Sequence, residues 1–317
     1  MTSTLETAGP PADRTDTGLD VVTGAFSYSG AAIAESLIDS GRRVRTVTGH
    51  PERGEGHPNV EVCPLDFDDQ LGLVESLQGA TTLFNTYWVR FAHRQIDHDL
   101  AVANSRTLFL AAKRAGVQRI VHISITNPSL QSPFPYFRGK ALVERALAES
   151  EVSYAILRPA ILFGGDGVLI NNIAWLLRQL PVFGIGGDGN YRIRGIHIDD
   201  LARLCLQKAC ESDDSVTDAV GPENPTFNEL VALIRDAVGA RSRTVHVPAA
   251  IVPVLSSVLG LALHDVLLTK DEFQAMEAGL ADSEAPSTGS IRLSTWLAEA
   301  SDGLGVYYAN ELSRHFT

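Results

Sequence analysis

The feature that most constrains the fold is a repeated alternation of short β-branched runs with longer helical patterns, beginning at Leu19. Six such runs predict strands, at residues 19–24, 43–48, 60–65, 80–86, 118–125 and 153–159. Helices are predicted at residues 30–40, about 93–115 and 135–150. This alternation is typical of βαβ units, which build a parallel sheet with helices on both faces. The sequence therefore predicts an α/β fold with a doubly wound parallel sheet, whose ligands bind at the carboxyl ends of the strands.

The alternation ends near Gly164, where glycine-rich turns such as FGGDG and GIGGDGN begin. We expect residues 1–18 to be a disordered tail and residues 19–165 to form the sheet domain, to which residues 191–220 return. Residues 166–190 and 221–317 are expected to form a smaller, mostly helical substrate lobe. The apolar stretch 248–263 contains two prolines and two serines and is too short for a bilayer span, so we assign it to a helix of this lobe.

The net charge of −12 opposes nucleic acid as a partner, because binding a polyanion requires a basic surface. We expect no membrane partner either.

The three cysteines, Cys63, Cys205 and Cys210, have no metal-binding spacing, and an odd number argues against a disulfide framework. Residues 1–18 lack the basic start and apolar run of a signal peptide. These features predict a cytoplasmic protein without a metal site.

A glycine-containing turn follows the first strand in VVTGAFSYSG, with Gly24 and Gly30 at the ends and Ser27 at the position of a middle glycine. Gly24 permits a tight turn and Gly30 permits close packing of helix on sheet. The N-terminus of the helix offers N–H groups to a pyrophosphate. The Ser27 hydroxyl can compensate for its Cβ by hydrogen-bonding a phosphate oxygen. The alternative is a sterically demanding turn that binds no ligand.

At the end of the second strand, Thr48, Gly49 and His50 stand in place of the carboxylate that usually holds the ribose hydroxyls of NAD. Arg45, His50 and Arg53 lie nearby, so we expect NADP, with NAD as the alternative. These side chains are otherwise solvated loop charges. Asp66, after the third strand, is expected to accept a hydrogen bond from the adenine amino group, or to cap the helix that begins near Asp69.

Tyr136 and Lys140 are four residues apart on one face of a predicted helix. A nearby ammonium lowers the pKa of a phenol, which makes the phenol a better acid and base near neutral pH. The pair follows the fifth strand directly, beside the expected ligand crevice. The sequence thus predicts an acid–base site here.

Gly24, Gly30, Asp66, the Tyr136/Lys140 pair and the segment LRPAILFG resemble the short-chain dehydrogenase/reductase superfamily. The closer resemblance is to its extended and atypical branch, which includes NAD-dependent epimerase/dehydratases, NmrA-like proteins and a complex I accessory subunit. It covers about residues 19–210 and implies a Rossmann-type NAD(P)-binding domain at residues 19–165. It also implies that Tyr136 is the general acid/base, that Lys140 orients the nicotinamide ribose, and that a hydroxyl after the fifth strand polarises the substrate.

Ile125 stands at the position of the usual catalytic serine, so Ser124 and Thr126 are the candidates for that hydroxyl. The cofactor-binding candidates follow the predicted strands: Gly24, Phe26, Ser27, Tyr28, Ser29, Gly30, Thr48, His50, Arg53, Asp66, Phe67, Asn85, Thr86, Lys140, Pro159 and Ile161. The substrate-binding candidates are Tyr87, Trp88, Arg90, Asn171 and Asn172. Asp199 or Asp200 is expected to cap a helix rather than act chemically.

The leading functional prediction is an NAD(P)-dependent oxidoreductase acting on a carbonyl or alcohol of a small organic metabolite. A homodimer is compatible with this prediction. One alternative is an epimerase/dehydratase or a redox-neutral enzyme on the same scaffold. Another is an NmrA-like dinucleotide sensor without turnover, because Ser27 and Ile125 both depart from the usual pattern, and fold alone does not decide function.

Overall fold

The computed structural model describes residues 18–91 and 96–312. Residues 1–17 of the tail expected at residues 1–18, and the expected helix start at His93, lie outside the described residues. The strands are β1 (Leu19–Thr23), β2 (Arg43–Thr48), β3 (Val60–Pro64), β4 (Ala80–Asn85), β5 (Arg119–Ile123), β6 (Ser153–Pro159), β7 (Ile161–Phe163), β8 (Val182–Gly186), β9 (Gly195–His197), β10 (Ser215–Ala219) and β11 (Arg243–Val247).

The α-helices cover both faces of the sheet and build most of the second lobe. They are α1 (Tyr28–Asp39), α2 (Gln70–Leu77), α3 (His98–Ala115), α4 (Pro135–Ala148), α5 (Val168–Gln179), α6 (Ile198–Ala209), α7 (Phe227–Ala237), α8 (Val252–Leu263), α9 (Lys270–Glu277) and α10 (Leu293–Ala300). Short 3-10 helices lie at Pro51–Gly54 and Ala249–Ile251.

The central sheet has seven strands in the order β10-β6-β5-β4-β1-β2-β3, all parallel. The predicted α/β class with a doubly wound sheet is confirmed, but the predicted number of six strands is wrong. The seventh strand, β10, pairs with β6 at the sheet edge, where Ser215 is in register with Ala155. Its sequence SVTDA is short and half polar, so it lacks the apolar run that indicates a buried strand.

The sheet buries two separate cores, one on each face. One includes Val22, Ile33 and Leu201, between the sheet and α1 and α6. The other includes Leu83, Leu108 and Val143, between the sheet and α2, α3 and α4. The strand order reverses between β1 and β4, where the crevice of a doubly wound sheet forms. Ligands are therefore expected beside the ends of these two strands.

A third core, which includes Ile173, Leu230 and Phe273, is formed by residues 163–193 and 230–304, and we call this part of the chain the second lobe. The parallel pairs β8–β11 and β7–β9 form two small sheets apart from the central sheet. In the apolar stretch 248–263, the 3-10 helix Ala249–Ile251 leads into α8, so the predicted helix is present there. In the part of the chain that the structure describes, no helix has the length and apolar character needed to cross a membrane.

Candidate active site

A cavity of about 2040 Å³ extends from the carboxyl ends of the central strands into the second lobe. Eleven of the predicted cofactor-binding residues line it: Gly24, Phe26, Ser27, Tyr28, Ser29, Thr48, His50, Arg53, Phe67, Thr86 and Ile161. The other five, Gly30, Asp66, Asn85, Lys140 and Pro159, do not line it. Tyr136 and the predicted substrate residues Tyr87, Trp88, Arg90 and Asn172 lie along the same cavity.

The two glycines of the β1–α1 turn are required for different physical reasons. Gly24 has φ +63°, which favours a residue without a Cβ, and its N–H donates to the Val47 carbonyl at 2.9 Å. A Cβ on Gly30 would lie 2.1 Å from the Gly24 carbonyl oxygen. Gly30 therefore acts by packing beneath the turn, although it does not face the cavity.

Ser27 adopts extended backbone, with φ −90° and ψ 167°, so this position does not require glycine. Its N–H donates to the Gly24 carbonyl at 2.8 Å, and its hydroxyl makes no capping hydrogen bond to α1. The side chain lines the cavity at the N-terminus of the helix. The substitution thus leaves the turn intact and adds a hydroxyl where an anion would bind.

The loop after β2 places Thr48, His50 and Arg53 on the cavity. His50 pairs with Glu52 at 3.2 Å. The expectation that Arg45 lies near a 2′-phosphate is wrong. The Arg45 guanidinium donates to the carbonyls of Ser76 and Gln78 and pairs with Glu61, so it is bound at the sheet edge.

Asp66 is exposed, and its carboxylate accepts hydrogen bonds from the backbone N–H groups of Asp68 and Asp69 at 2.9 and 3.4 Å. Asp69, not Asp66, caps α2 by accepting from the N–H of Gly72 at 2.9 Å. The capping role expected of Asp66 is therefore wrong, whereas its expected hydrogen bond to the adenine amino group stays a prediction. Phe67, one residue further along, faces the cavity instead, because neighbouring side chains point in different directions.

The predicted contact of Asn85 with the cofactor is also wrong, because the Asn85 side chain is fully buried at the end of β4. Its Oδ1 accepts from the Thr23 hydroxyl and the Tyr87 N–H at 3.3 and 3.0 Å. Its Nδ2 donates to Nδ1 of His122 at 3.0 Å, and burial keeps the pKa of His122 well below its ordinary value. Asn85 thus holds β1, β4 and β5 together, and Thr86 and Tyr87 provide the cavity wall.

Tyr136 enters the cavity from the first turn of α4. Its ring packs edge-on against Trp88 and His98, with centroids 5.7 Å apart in both cases. Its hydroxyl forms no hydrogen bond within residues 18–91 and 96–312. Burial, and secondly the carboxylate of Glu272, raise the pKa of Tyr136 above its ordinary value, while Arg90 opposes them. The expected lowering of this pKa is therefore wrong, since desolvation dominates.

Lys140 lies beneath the cavity wall and does not line it. Its Nζ donates to the Ile123 carbonyl at 2.8 Å and lies 4.7 Å from the centroid of the Trp88 ring. Burial lowers the pKa of Lys140 to about 7, although Glu144 partly offsets it. The structure thus places the Lys140 ammonium against the Trp88 ring and not on the cavity surface, and the ribose contact expected for Lys140 stays a prediction.

Neither hydroxyl candidate after β5 lines the cavity. The Ser124 hydroxyl donates to Glu144 at 2.5 Å, and Glu144 also accepts two hydrogen bonds from Arg158, at 2.9 and 2.5 Å. The Thr126 hydroxyl donates to the Leu280 carbonyl at 2.9 Å. Ile125, between them, faces the cavity because alternate side chains of an extended chain point to opposite sides. The catalytic roles predicted for Ser124 and Thr126 are therefore corrected.

The two asparagines of α5 hold the C-terminal segment. Asn171 accepts from the Gly305 N–H and donates to the Tyr307 carbonyl, both at 2.9 Å. Asn172 bonds the N–H and carbonyl of Ala309 at 3.0 and 2.8 Å. Asn171 does not line the cavity, so its predicted substrate contact is corrected, whereas Asn172 remains on the wall.

The N-terminus of α6 is capped by His197, whose Nδ1 accepts from the Asp199 N–H at 3.2 Å. The predicted capping role of Asp199 or Asp200 is wrong. Asp200 instead accepts from the N–H groups of Ser290 and Ile291, at 2.9 and 2.8 Å. It thereby ties α6 to the chain that leads into α10.

Arg90 lies in a charged cluster that sequence reasoning missed. Its Nε donates to Glu272 at 2.7 Å, and its guanidinium also pairs with Glu311 at 3.0 Å. Glu272 serves at the same time in the capping box of α9, which fixes its position. No sequence pattern connects residues so far apart in the chain. The cluster neutralises Arg90 and places a carboxylate near Tyr136.

The first half of the chain matches a known family. Residues 24–173 match the model of a family described as NAD(P)H-binding. This match confirms the predicted NAD(P) cofactor class and the resemblance drawn from the motifs. It runs from the turn after β1 to the first part of α5 and includes Tyr136.

Curated relatives are distant. An uncharacterized protein of Sinorhizobium fredii is 24% identical over 266 residues, covering 76% of this chain and 67% of the relative. The mitochondrial NADH dehydrogenase [ubiquinone] 1 alpha subcomplex subunit 9 of Arabidopsis thaliana is 22% identical over 251 residues, covering 74% of this chain and 62% of the relative. The chain thus spans about two thirds of the length of these relatives.

Among solved structures, the NADPH-dependent quinone oxidoreductase QOR2 of Escherichia coli, complexed with NADPH, has a TM-score of 0.72 and 20% identity. The alignment covers 90% of this chain and 99% of the other. At this identity the likeness shows the fold. It extends beyond the family match and includes most of the second lobe.

Proposed function

Because residues 24–173 form an NAD(P)-binding domain, we propose that this protein is an NAD(P)-dependent oxidoreductase that reduces a carbonyl group of a small organic molecule. The observation that carries the proposal is the position of Tyr136. Its side chain lines the same cavity as the glycine turn, and its hydroxyl has no hydrogen-bond partner among the described residues. It is therefore available to a ligand.

The residues of the cavity fit a dinucleotide at its sheet end. The Gly24–Gly30 turn leaves no room for a Cβ at Gly30, and α1 presents its N-terminus beside Ser27. These groups would hold the pyrophosphate. His50 and Arg53, beside Thr48, would accept a 2′-phosphate, so NADP is the proposed cofactor. When bound, the nicotinamide would supply the hydride.

Tyr136 would supply the proton to the carbonyl oxygen as the carbonyl carbon accepts the hydride. A phenol is protonated at neutral pH, and it remains a stronger acid than the alcohol formed from a developing alkoxide, so Tyr136 can donate this proton even though burial raises its pKa.

The test is nucleotide binding followed by turnover. Purified protein would be titrated with NADPH and NADH by fluorescence, and loss of the nicotinamide absorbance would then be followed across a panel of carbonyl compounds. We expect Tyr136→Phe to lower kcat by about 10²- to 10⁴-fold while NADPH affinity is retained. Tyr307→Phe is the matched control, since Tyr307 is 82% exposed and lies off the cavity. Failure to bind either nucleotide would overturn the proposal.

A second candidate is a dinucleotide-binding sensor or subunit without turnover. It is favoured by the positions of Lys140, Ser124 and Thr126, none of which lines the cavity. The complex I subunit among the relatives is compatible with this alternative. NADPH binding with no turnover, unaffected by Tyr136→Phe, would support it over the reductase.

A further inference from the structure

We infer that the substrate is a bulky, uncharged and largely apolar carbonyl compound, and not a nucleoside diphosphate sugar. The inference rests on the proposed function, because it concerns the substrate end of the same cavity. Three features carry it: an apolar wall in the second lobe, the absence of charged residues from α8, and an excess of carboxylates over unpaired cations around Tyr136 among residues 18–91 and 96–312.

The apolar wall is built where β8 meets α9. A Cβ on Gly186 would lie 2.4 Å from the Phe273 ring and 2.6 Å from Val252, so glycine lets that ring pack directly on the strand. Tyr191 stacks on Phe227 with centroids 5.3 Å apart and packs edge-on to Phe273 at 6.3 Å. All five residues line the cavity, where the partly exposed Val252 and Phe227 form the surface and the buried Phe273 and Tyr191 support it from behind. Such a surface binds aromatic or aliphatic groups.

Helix α8 extends this wall and contains no Asp, Glu, Lys or Arg. Leu255 and Leu259 face the cavity from it. Ser256, also on the wall, donates to the Leu268 carbonyl at 2.8 Å and accepts from the Leu268 N–H at 3.1 Å. Its hydroxyl is therefore used within the protein, and the wall offers little to a strongly polar substrate.

The charges near Tyr136 oppose a diphosphate. Within the described ranges, the lining cations beyond the cofactor loop are Arg90 and Arg138. Arg90 is neutralised by Glu272 and Glu311 and also donates to the Leu267 carbonyl at 3.3 Å, while Arg138 donates to the Ser132 carbonyl at 3.2 Å. The lining carboxylates in this region are Asp97, Asp99, Asp271, Glu272 and Glu311. Juxtaposing like charges disfavours a doubly negative ligand.

The volume of the cavity fits this assignment. At about 2040 Å³ it exceeds the roughly 300–1,000 Å³ of an ordinary small-molecule pocket. It therefore has room for a dinucleotide at the sheet end together with a bulky second molecule in the lobe.

The test compares two probes on protein saturated with NADP⁺, so that binding is measured without turnover. The probes are 2-acetonaphthone, an uncharged aromatic ketone, and UDP-glucose, measured by isothermal titration calorimetry. We expect 2-acetonaphthone to bind, and Leu259→Asp to weaken its affinity by about tenfold or more by placing a charge on the apolar wall. Leu261→Asp is the matched control, because Leu261 lies on the same helix, is 78% exposed and does not line the cavity.

Tighter binding of UDP-glucose than of the ketone would overturn the inference. So would equal ketone affinity in Leu259→Asp and Leu261→Asp. NADPH affinity, measured in parallel, separates the two proposals. Failure of the protein to bind NADPH removes the proposed function itself, whereas NADPH binding without ketone binding removes only the substrate assignment.

Discussion

Ser27 shows at the residue scale how a departure from a glycine fingerprint is accommodated. Glycine is required where φ is positive or where a Cβ would collide, and those conditions hold at Gly24 and Gly30. At Ser27 the backbone is extended, so a side chain costs no backbone strain. The hydroxyl does not disturb the turn, and in the proposed function it would donate a hydrogen bond to the pyrophosphate.

We therefore expect Ser27→Ala to weaken NADPH binding by about tenfold to a hundredfold, the usual effect of losing one hydrogen bond to a charged group. Fluorescence titration measures the change. Ser36→Ala, on the same helix but off the cavity, is the control and should bind NADPH like the unaltered protein. Equal NADPH affinity in both variants would show that Ser27 does not contribute to NADPH binding.

At the scale of elements, the junction of β1 with α1 depends on close contact between the two glycines. The Gly24 carbonyl occupies the space that a Cβ on Gly30 would need. This contact is between backbone atoms, which cannot move aside as a flexible side chain can. The angle at which α1 leaves the sheet is therefore set by the absence of a side chain at residue 30.

Gly30→Ala is expected to lower the free energy of unfolding by about 1–3 kcal/mol, as overpacking does, and to weaken NADPH binding because the turn must shift. Gly49→Ala is the matched control, since it makes the same substitution at a glycine where a Cβ meets no atom within 4 Å. Urea denaturation measures both variants. Similar losses in the two would contradict this account of the junction.

At the scale of the whole molecule, the buried Lys140 links folding stability to pH. Its pKa is about 7 in the folded protein, against an ordinary value of 10.5. Between these pH values the unfolded chain binds more protons than the folded one, so the contribution of this group to stability rises with pH. The rise is at most about 1.4 kcal/mol per pH unit.

Lys140→Met should remove this rise, because methionine fills a similar volume without a charge. Urea denaturation at about pH 7.5 and about pH 9.5 gives the difference in unfolding free energy between the two pH values. The difference should be smaller in Lys140→Met than in the unaltered protein. Lys113→Met, at an exposed ion pair with Glu151, should leave it unchanged. A rise that persists in Lys140→Met would show that another group causes it.

The local features of this protein were predictable from its sequence. β2 and β6 have the predicted bounds, and β1 and β4 end one residue earlier than predicted, because β-branched runs and their intervening turns are read from neighbouring residues. The roles of Gly24 and Gly30 also followed from a short motif. Tyr136 was expected beside the crevice because it follows β5 directly, and the structure places it there.

The sequence did not predict contacts between residues that are far apart in the chain. Ser124 and Thr126 were predicted to be catalytic from their position after β5, but Glu144 and the Leu280 carbonyl hold them away from the cavity. The carboxylates around Arg90 come from residues 272 and 311. No local sequence pattern indicates such partners. The charges around Tyr136 and the apolar wall of the second lobe could therefore not be predicted from the sequence.

The sequence by itself determined the α/β class, the parallel sheet and the glycine turn that would hold a dinucleotide, because each depends on hydrogen bonds and packing between near neighbours in the chain. Only the tertiary structure decided which side chains share the cavity. Packing turned Lys140 beneath Trp88, buried Asn85 and raised the pKa of Tyr136. These outcomes depend on burial and on charges brought together from distant segments, and burial exists only once the whole chain has folded.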